Sequence, residues 1–272
     1  MRYFMDTEFI EGFHKPLFGK KRHFIDLISI GIVAEDGRKL YLISSEYDYD
    51  KASDWVKENV IRPLYQGMVS GDERNVLRES DFHKIYGVPN SVIAKDILEF
   101  INHNIDDLIA KYTRHDCWAE CYYKEEFAYI EKHNTEIPDT YYKSGSGGLV
   151  KNKALIYNKP EFYAYYADYD WVVFCSLFGT MMDLPKGFPM YCKDLKQLLD
   201  EKVMFHAIGV NEALKNGVNP IPTEHIKPIN AQFEEMLIMY KEDKTYPRQG
   251  KEHDALNDAK WNYELYKFIQ TI

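Results

Sequence analysis

The sequence has few cysteines and little glycine or proline. It contains 4 cysteines, 15 glycines and 11 prolines among 272 residues. Four cysteines are too few for a disulfide scaffold in a chain of this length, and the glycine and proline content lies well below that of low-complexity sequence. A disulfide-rich module, a disordered chain and a fibrous repeat are therefore excluded. We expect one compact domain over residues 1–272.

Long apolar runs and an excess of positive charge are also missing. The longest nearly apolar run, 171–182, is shorter than the roughly 18 to 20 residues of a membrane helix. The formal net charge is −9, so a contact with nucleic acid would need a local basic patch or bound cations. Asp6 stands where a signal peptide would be apolar. We expect a cytoplasmic protein with no membrane partner.

One group of cysteines and histidines leaves a zinc site open. His115, Cys117 and Cys121, with His133 nearby, are residue types that bind zinc. However, Cys-x3-Cys is also the spacing of one helical turn, and no second cysteine pair completes the set. Whether Cys117 and Cys121 bind metal is left undecided by the sequence.

The beginning of the chain has the pattern of β-strands. Residues 2–10 alternate with a period of two, and 24–34 and 39–46 are rich in β-branched and aromatic residues. An Asp36-Gly37 turn separates the last two. The pattern predicts three antiparallel strands at the start of the chain.

The rest of the chain mixes helical spacing with one aromatic strand. Two stretches are interpreted as insertions. Residues 103–157 are mixed and rich in tyrosine, and residues 203–250 are polar and loop-rich with several prolines. Strands followed by alternating helix and strand predict an α/β fold with a mixed sheet flanked by helices. Helices are predicted at 52–60, 92–101, 169–178 and 254–272, and another begins at the cap Asp194. Pro63 is expected to end the first helix, and a strand is predicted at 161–167.

Two acids share one face of the first strand. Period-two geometry places Asp6 and Glu8 about 6 to 7 Å apart on the same side. Burial would raise both pKa values unless cations neutralise the pair. The alternative is a pair of exposed acids on an edge strand, but Phe4 and Ile10 lie on the same face and favour burial.

Further acids and a histidine follow in a definite order. Asp168 is explained as a helix cap, which leaves Asp170 at a strand-to-helix junction without a structural role. His253 and Asp258 begin the last helix. Four carboxylates and a histidine can build a site for two divalent ions, and oxygen ligands favour Mg²⁺ or Mn²⁺.

These motifs carry a family resemblance. Asp6-Thr7-Glu8, Asp170 and His253-x4-Asp258 resemble the three motifs of the DEDDh 3′-5′ exonucleases, which have a ribonuclease H-like fold. More narrowly, the chain resembles a small family of bacterial and phage 3′-5′ exoribonucleases. The resemblance extends over roughly 1–65, 91–102, 159–202 and 251–272.

The resemblance implies a mechanism and a substrate. Asp6, Glu8, Asp170 and Asp258 would hold two Mg²⁺ or Mn²⁺ ions, and His253 would act as the general base. The product would be nucleoside 5′-monophosphates released from the 3′ end of single-stranded RNA or an RNA 3′ overhang. A homodimer, common among related enzymes, is left open.

Five residues are candidates for contacts with the substrate. Phe9 would stack on the terminal base, although alternation alone allows it to be core. A basic segment between the first two strands would hold phosphates next to the acid pair, unless it is only a solvated hairpin tip. The candidates are Thr7, Phe9, Lys20, Lys21 and Arg22.

Two other functions remain compatible with the sequence. One is a DNA exonuclease, because no motif recognises the 2′-hydroxyl. The other is a non-catalytic module that binds nucleic acid or protein and retains the same fold.

Overall fold

A computed structural model describes most of the chain. Cys117 and Cys121, whose metal binding the sequence leaves open, and most of the insertion at 103–157 lie outside the described residues. The described ranges are 1–14, 18–113, 141–143, 149–151, 160–217, 220–250 and 252–272.

A five-stranded mixed sheet forms the centre of the fold, in the order β3-β2-β1-β6-β7. The first three strands are antiparallel, whereas β6 and β7 run parallel to β1. The predicted antiparallel opening and mixed α/β sheet are confirmed, as expected for a ribonuclease H-like fold. The strands are β1 (Arg2–His14), β2 (Arg22–Ala34), β3 (Lys39–Ile43), β4 (Tyr141–Lys143), β5 (Leu149–Lys151), β6 (Glu161–Ala164) and β7 (Lys193–Asp194), with β4 and β5 forming a separate hairpin.

Helices pack on both faces of this sheet. No helix in the described part of the chain is both long enough and apolar enough to span a membrane. The helices are α1 (Asp54–Val56), a π-helical turn (Lys57–Ile61), α2 (Arg62–Met68), α3 (Phe82–Tyr86), α4 (Asn90–Thr113), α5 (Asp168–Ser176), α6 (Leu195–Asn216), α7 (Ile229–Glu242) and α8 (Ala255–Thr271), with short 3-10 turns at Tyr49–Lys51, Glu73–Asn75, Met181–Asp183 and Thr223–His225.

The prediction that Pro63 ends a helix is wrong. The chain stays helical from Asp54 to Met68, and Pro63 lies in the first turn of α2. In the preceding π-helical turn, the Arg62 N–H donates to the carbonyl of Lys57, five residues back. Proline lacks an N–H and clashes with the carbonyl four residues back in a regular α-helix. The wider turn accommodates the ring, so the helix continues.

The prediction of a loop-rich stretch over 203–250 is also wrong. Helix α6 continues to Asn216, and α7 begins directly after its cap Pro228. Leu237 of α7 joins Val203 of α6 in one buried apolar cluster. Proline precedes a helix without disrupting it, and the buried apolar contacts stabilise the helical pair. The insertion boundaries themselves stay a prediction.

The two faces of the sheet contain different cores. Tyr3 and Met5 of β1 pack on one face with residues of α4 and α5. On the other face, Phe4 packs with α6, α7 and α8, whereas Ile10 packs with residues around α1 to α3. Asp6 and Glu8 lie between Phe4 and Ile10 on this second face. Two acids therefore interrupt an otherwise apolar surface, with an apolar cluster on either side.

Candidate active site

Three carboxylates from the two ends of the chain meet at one point. Oxygen atoms of Asp6, Glu8 and Asp258 all lie within 4.8 Å of one another. Asp6 and Glu8 come from β1, and Asp258 comes from the first turn of α8. The β1–β2 register shifts between Glu8 and Phe9, where Ile28 of β2 has no partner on β1. The structure therefore brings together three of the four predicted metal ligands.

Two contacts hold helix α8 against the sheet beside these acids. A Cβ built on Gly31 of β2 would lie 2.2 Å from the carbonyl oxygen of Ala255, so only glycine allows the helix to approach this closely. The buried side-chain amide of Asn262 donates through Nδ2 to the carbonyl oxygen of Met5, at 2.9 Å. The packing of α8 thus determines where Asp258 lies relative to β1.

The start of α8 lies where the sequence predicts, and a side chain caps it. Asp254 is the N-cap, and its Oδ1 accepts from the N–H of Asn257 at 3.1 Å. The backbone N–H of Asp254 also donates to Oδ2 of Asp258, at 3.2 Å. His253 precedes the cap with φ of 63°, a left-handed conformation that is uncommon outside glycine. The predicted positions of His253 and Asp258 at the helix start are confirmed.

Asp170 lies next to this group but is bonded to the strand. Its Oδ1 accepts from the N–H of Thr7 at 2.8 Å and from Thr7 Oγ1 at 2.6 Å. Pairing between β1 and β6 ends at Phe4, so the N–H of Thr7 has no partner on β6. Asp170 supplies the acceptor that a longer strand would have provided.

The neighbouring Asp168 does not have the role expected for it. The residue that caps α5 is Ala167, with no side-chain hydrogen bond at the cap, so the interpretation of Asp168 as the cap is wrong. Asp168 is exposed, whereas Asp170 is only 6% exposed. The backbone N–H of Ala167 donates to Oδ2 of Asp194 at 3.0 Å. Of the two acids in α5, only Asp170 faces β1.

The carboxylates of this site destabilise one another's charges. Burial, followed by repulsion from Asp170, Glu8 and Asp258, holds the pKa of Asp6 well above its usual value. Burial and repulsion from Asp258 and Asp170 raise the pKa of Glu8 to about 8. Burial raises the pKa of Asp170 to about 6, although the two bonds from Thr7 oppose the shift. Burial also raises the pKa of Asp258.

The arrangement fits a divalent cation. The three clustered side chains offer only carboxylate oxygens, the ligands preferred by Mg²⁺ and Mn²⁺. Within the described ranges, neither lysine nor arginine forms an ion pair with any of the acids that meet here. A bound cation would remove the repulsion that raises their pKa values. The chemistry of the donors therefore suits a metal centre.

His253 lies at the edge of this cluster. It is partly buried, and its ring meets the ring of Trp55 edge to face, with centroids 4.9 Å apart and planes at 80°. Interactions with His253 oppose the burial that raises the pKa of Asp258. His253 immediately precedes the N-cap of the helix that carries Asp258.

Two of the predicted substrate contacts, Thr7 and Phe9, differ in their burial and in their partners. Thr7 is buried and bonded to Asp170, so it supports that acid. Phe9 is partly buried and stacks on the exposed Tyr169, with ring centroids 5.7 Å apart.

The basic segment is farther from the acids than expected. Lys20, Lys21 and Arg22 are exposed at the hairpin between β1 and β2, and 15–17 lies outside the described residues. At about 3.3 Å per residue, His14 at the end of β1 is roughly 20 Å along the strand from Glu8. The expectation that this segment lies next to the acid pair is therefore wrong.

Sequence reasoning missed three residues that shape the site. Asp254 adds a fifth negative charge that raises the pKa values of Asp6 and Glu8. Gln249 donates through Nε2 to Oδ1 of Asp258, at 2.9 Å. Gly31 permits the approach of α8. A glycine inside an apolar strand is a known sign of close backbone packing, but no local pattern indicates Gln249.

Comparison with known proteins adds a partial similarity. No protein-family model matches the chain. Over 64 residues it is 50% identical to curated proteins called 3′-5′ exoribonuclease from two strains of Mycobacterium tuberculosis. The match covers 24% of this chain and 33% of each relative, so the chain spans about a third of the length of the curated relatives it matches. Over that stretch the chain is similar to 3′-5′ exoribonucleases.

Proposed function

We propose that this protein is a 3′-5′ exoribonuclease that depends on Mg²⁺ or Mn²⁺ and releases nucleoside 5′-monophosphates. The convergence of Asp6, Glu8 and Asp258 within 4.8 Å carries the proposal. The partial similarity to proteins called 3′-5′ exoribonuclease agrees with it. The order of the motifs along the chain supports the assignment to the DEDDh class.

Four acids would hold the two ions. Asp6, Glu8 and Asp258 form the cluster, and Asp170 lies close enough to raise the pKa values of Asp6 and Glu8. When bound, divalent ions neutralise the acids and the substrate phosphate and favour ionisation of water. Without cations, the acids would repel the phosphodiester that the enzyme must bind.

The protein's own groups set the geometry for hydrolysis. Thr7 keeps Asp170 against β1 through two hydrogen bonds. His253 takes a proton from the attacking water at an imidazole nitrogen, a suitable role because histidine changes its protonation near neutral pH. The water oxygen bonds to phosphorus as the bond from phosphorus to the 3′ oxygen of the preceding nucleotide breaks. The released nucleotide therefore retains a 5′-phosphate.

The substrate would be single-stranded RNA or an RNA 3′ overhang. Phe9 and its stacked neighbour Tyr169 offer aromatic surface beside the strand that carries the acids. The exposed residues Lys20, Lys21 and Arg22 lie at the hairpin beyond the end of β1, away from the cluster. They would therefore contact phosphates upstream of the 3′ end. A cytoplasmic location and a homodimer stay predictions.

Digestion of 5′-labelled RNA tests this function. With Mg²⁺ or Mn²⁺ the label should appear in products that shorten one nucleotide at a time, and Asp6→Asn should stop the reaction. Glu201→Gln is the control because Glu201 is an exposed acid on α6 and lies outside the cluster. Cleavage without metal, internal cuts or full activity of Asp6→Asn would contradict the proposal.

A parallel digestion of matched DNA determines the sugar preference. The proposal expects faster removal of nucleotides from RNA than from DNA of the same sequence. Equal or faster removal of nucleotides from DNA would contradict an exoribonuclease and indicate a DNA exonuclease with the same metal centre.

A further inference from the structure

The loop before His253 is held at its beginning by helix α8. Indole Nε1 of Trp261 donates to the carbonyl oxygen of Pro247 at 3.1 Å. The ring of Tyr246 packs edge to face on Phe268, with centroids 5.2 Å apart. Trp261 and Phe268 both belong to α8. Tyr246 and Pro247 therefore keep a defined position relative to the helix that carries Asp258.

Gln249 extends from this loop onto Asp258. Its Nε2 donates to Oδ1 of Asp258 at 2.9 Å, while the N–H of Asp254 donates to Oδ2 at 3.2 Å. An ionised carboxylate only accepts hydrogen bonds, so the amide must present its nitrogen. Each oxygen of this carboxylate thus has a donor that restrains its orientation.

The chemistry of an amide suits such a role beside a metal. Lysine or arginine in place of Gln249 would neutralise Asp258 and compete with a cation. A neutral amide orients the carboxylate and leaves its negative charge available. Partners of this kind are important in known metal sites, where hydrogen bonds orient the ligands.

We propose that Gln249 is a positioning residue that sets the orientation of the Asp258 carboxylate for binding a divalent cation with Asp6 and Glu8. This inference rests on the metal centre of the proposed function. Gln249 itself is exposed, so its replacement leaves the apolar clusters of the fold intact.

Mn²⁺ affinity measured by isothermal titration calorimetry tests the inference without an activity assay. Gln249→Met retains the length of the side chain but removes both N–H donors, and Gln249→Ala removes the side chain. Both should bind Mn²⁺ about 10- to 100-fold more weakly than the unchanged protein. The control Arg248→Ala, an exposed neighbour on the same loop, should bind Mn²⁺ with unchanged affinity.

The outcomes separate this inference from the proposed function. Thermal unfolding in chelator should give the same midpoint for Gln249→Met and the unchanged protein, which shows that the fold is intact. If Gln249→Met binds Mn²⁺ as tightly as the unchanged protein, Gln249 only fills space and the inference is wrong. If the unchanged protein itself binds no Mn²⁺, the metal centre and this inference both fail.

Discussion

Gly31 lies directly opposite Asp6 in the register of the β1–β2 pair. The glycine that allows helix α8 to reach the sheet is therefore the cross-strand neighbour of the first acid of the site. Asp258 enters the cluster from the first turn of the same helix. The absence of a side chain at one position thus controls the distance between acids from opposite ends of the sequence.

Gly31→Ala should separate the helix from the acid pair. The added methyl group would lie 2.2 Å from the Ala255 carbonyl oxygen, which is shorter than a van der Waals contact. The backbone of α8 or β2 must therefore move. Overpacking of this kind costs about 1–3 kcal/mol of unfolding free energy. Denaturant unfolding should show that loss, and Mn²⁺ affinity should fall with it.

Gly209→Ala provides the matched control. Gly209 lies in α6 with nothing within 4 Å of the position that a Cβ would occupy. Alanine should stabilise that helix by about 0.5–1 kcal/mol because it restricts the unfolded chain. A loss of stability in Gly209→Ala, or none in Gly31→Ala, would contradict the packing argument.

Asp170→Asn and Asp168→Asn should differ sharply in activity. Asp170 is bonded to Thr7 on β1, whereas Asp168 is exposed on the same helix. Asparagine at 170 retains an oxygen that accepts from Thr7, so the fold should remain, but the charge is lost. We expect RNA hydrolysis to fall by more than the roughly 10- to 100-fold typical of an outer-shell partner.

Asp168→Asn should hydrolyse RNA at the rate of the unchanged protein. The same gel assay, with both variants at equal concentration, makes the comparison. Loss of activity in Asp168→Asn with full activity in Asp170→Asn would show that Asp168, and not Asp170, is the metal ligand.

The sequence predicts the site better than it predicts the helices around it. The alternation of β1 is sufficient to place Asp6 and Glu8 on one face, and the apolar spacing of the last stretch is sufficient to place His253 and Asp258 at a helix start. Burial of Phe4 and Ile10 confirms that this face is covered. These features depend on local geometry, which the sequence specifies directly.

Other features depend on contacts that are distant in the sequence. The hydrogen bond from Gln249 to Asp258 depends on the packing of the preceding residues against α8, which includes the bond from Trp261 to Pro247. The helix continues through Pro63 because a π-helical turn precedes it, and α7 forms because Leu237 is buried against α6. No local pattern contains this information, so propensity and proline content gave the wrong result there.

The protein without metal should lose stability as the pH rises. Burial and neighbouring acids raise the pKa of Glu8 to about 8 and that of Asp170 to about 6, above their values in the unfolded chain. Between the unfolded and folded pKa values the folded state binds more protons, so the free energy of unfolding decreases with pH. Thermal unfolding in chelator should therefore show a falling midpoint from about pH 5 to about pH 8.

Glu8→Gln should flatten this decline, and Glu201→Gln, an exposed acid on α6, should leave it unchanged. Metal binds the deprotonated carboxylates, so added Mn²⁺ should raise the unfolding midpoint more at about pH 8 than at about pH 5, the two ends of this range. A midpoint that rises with pH in chelator would show that the acids are not mutually destabilised.

His253→Asn should separate proton transfer from metal binding. Asparagine tolerates the left-handed backbone at this position better than alanine, and it is a very weak base. Turnover should fall by about 10²- to 10⁴-fold, the usual contribution of a general base. Mn²⁺ affinity should stay the same. Equal losses in turnover and affinity would make His253 part of the metal site and not the base.

The most direct test of the metal centre is anomalous diffraction from crystals of the full chain grown with Mn²⁺ at about pH 8, where Glu8 is substantially ionised. The structure predicts an anomalous peak among the carboxylate oxygens of Asp6, Glu8 and Asp258. An ordered site without such a peak, or Mn²⁺ bound only elsewhere on the protein, would contradict the account.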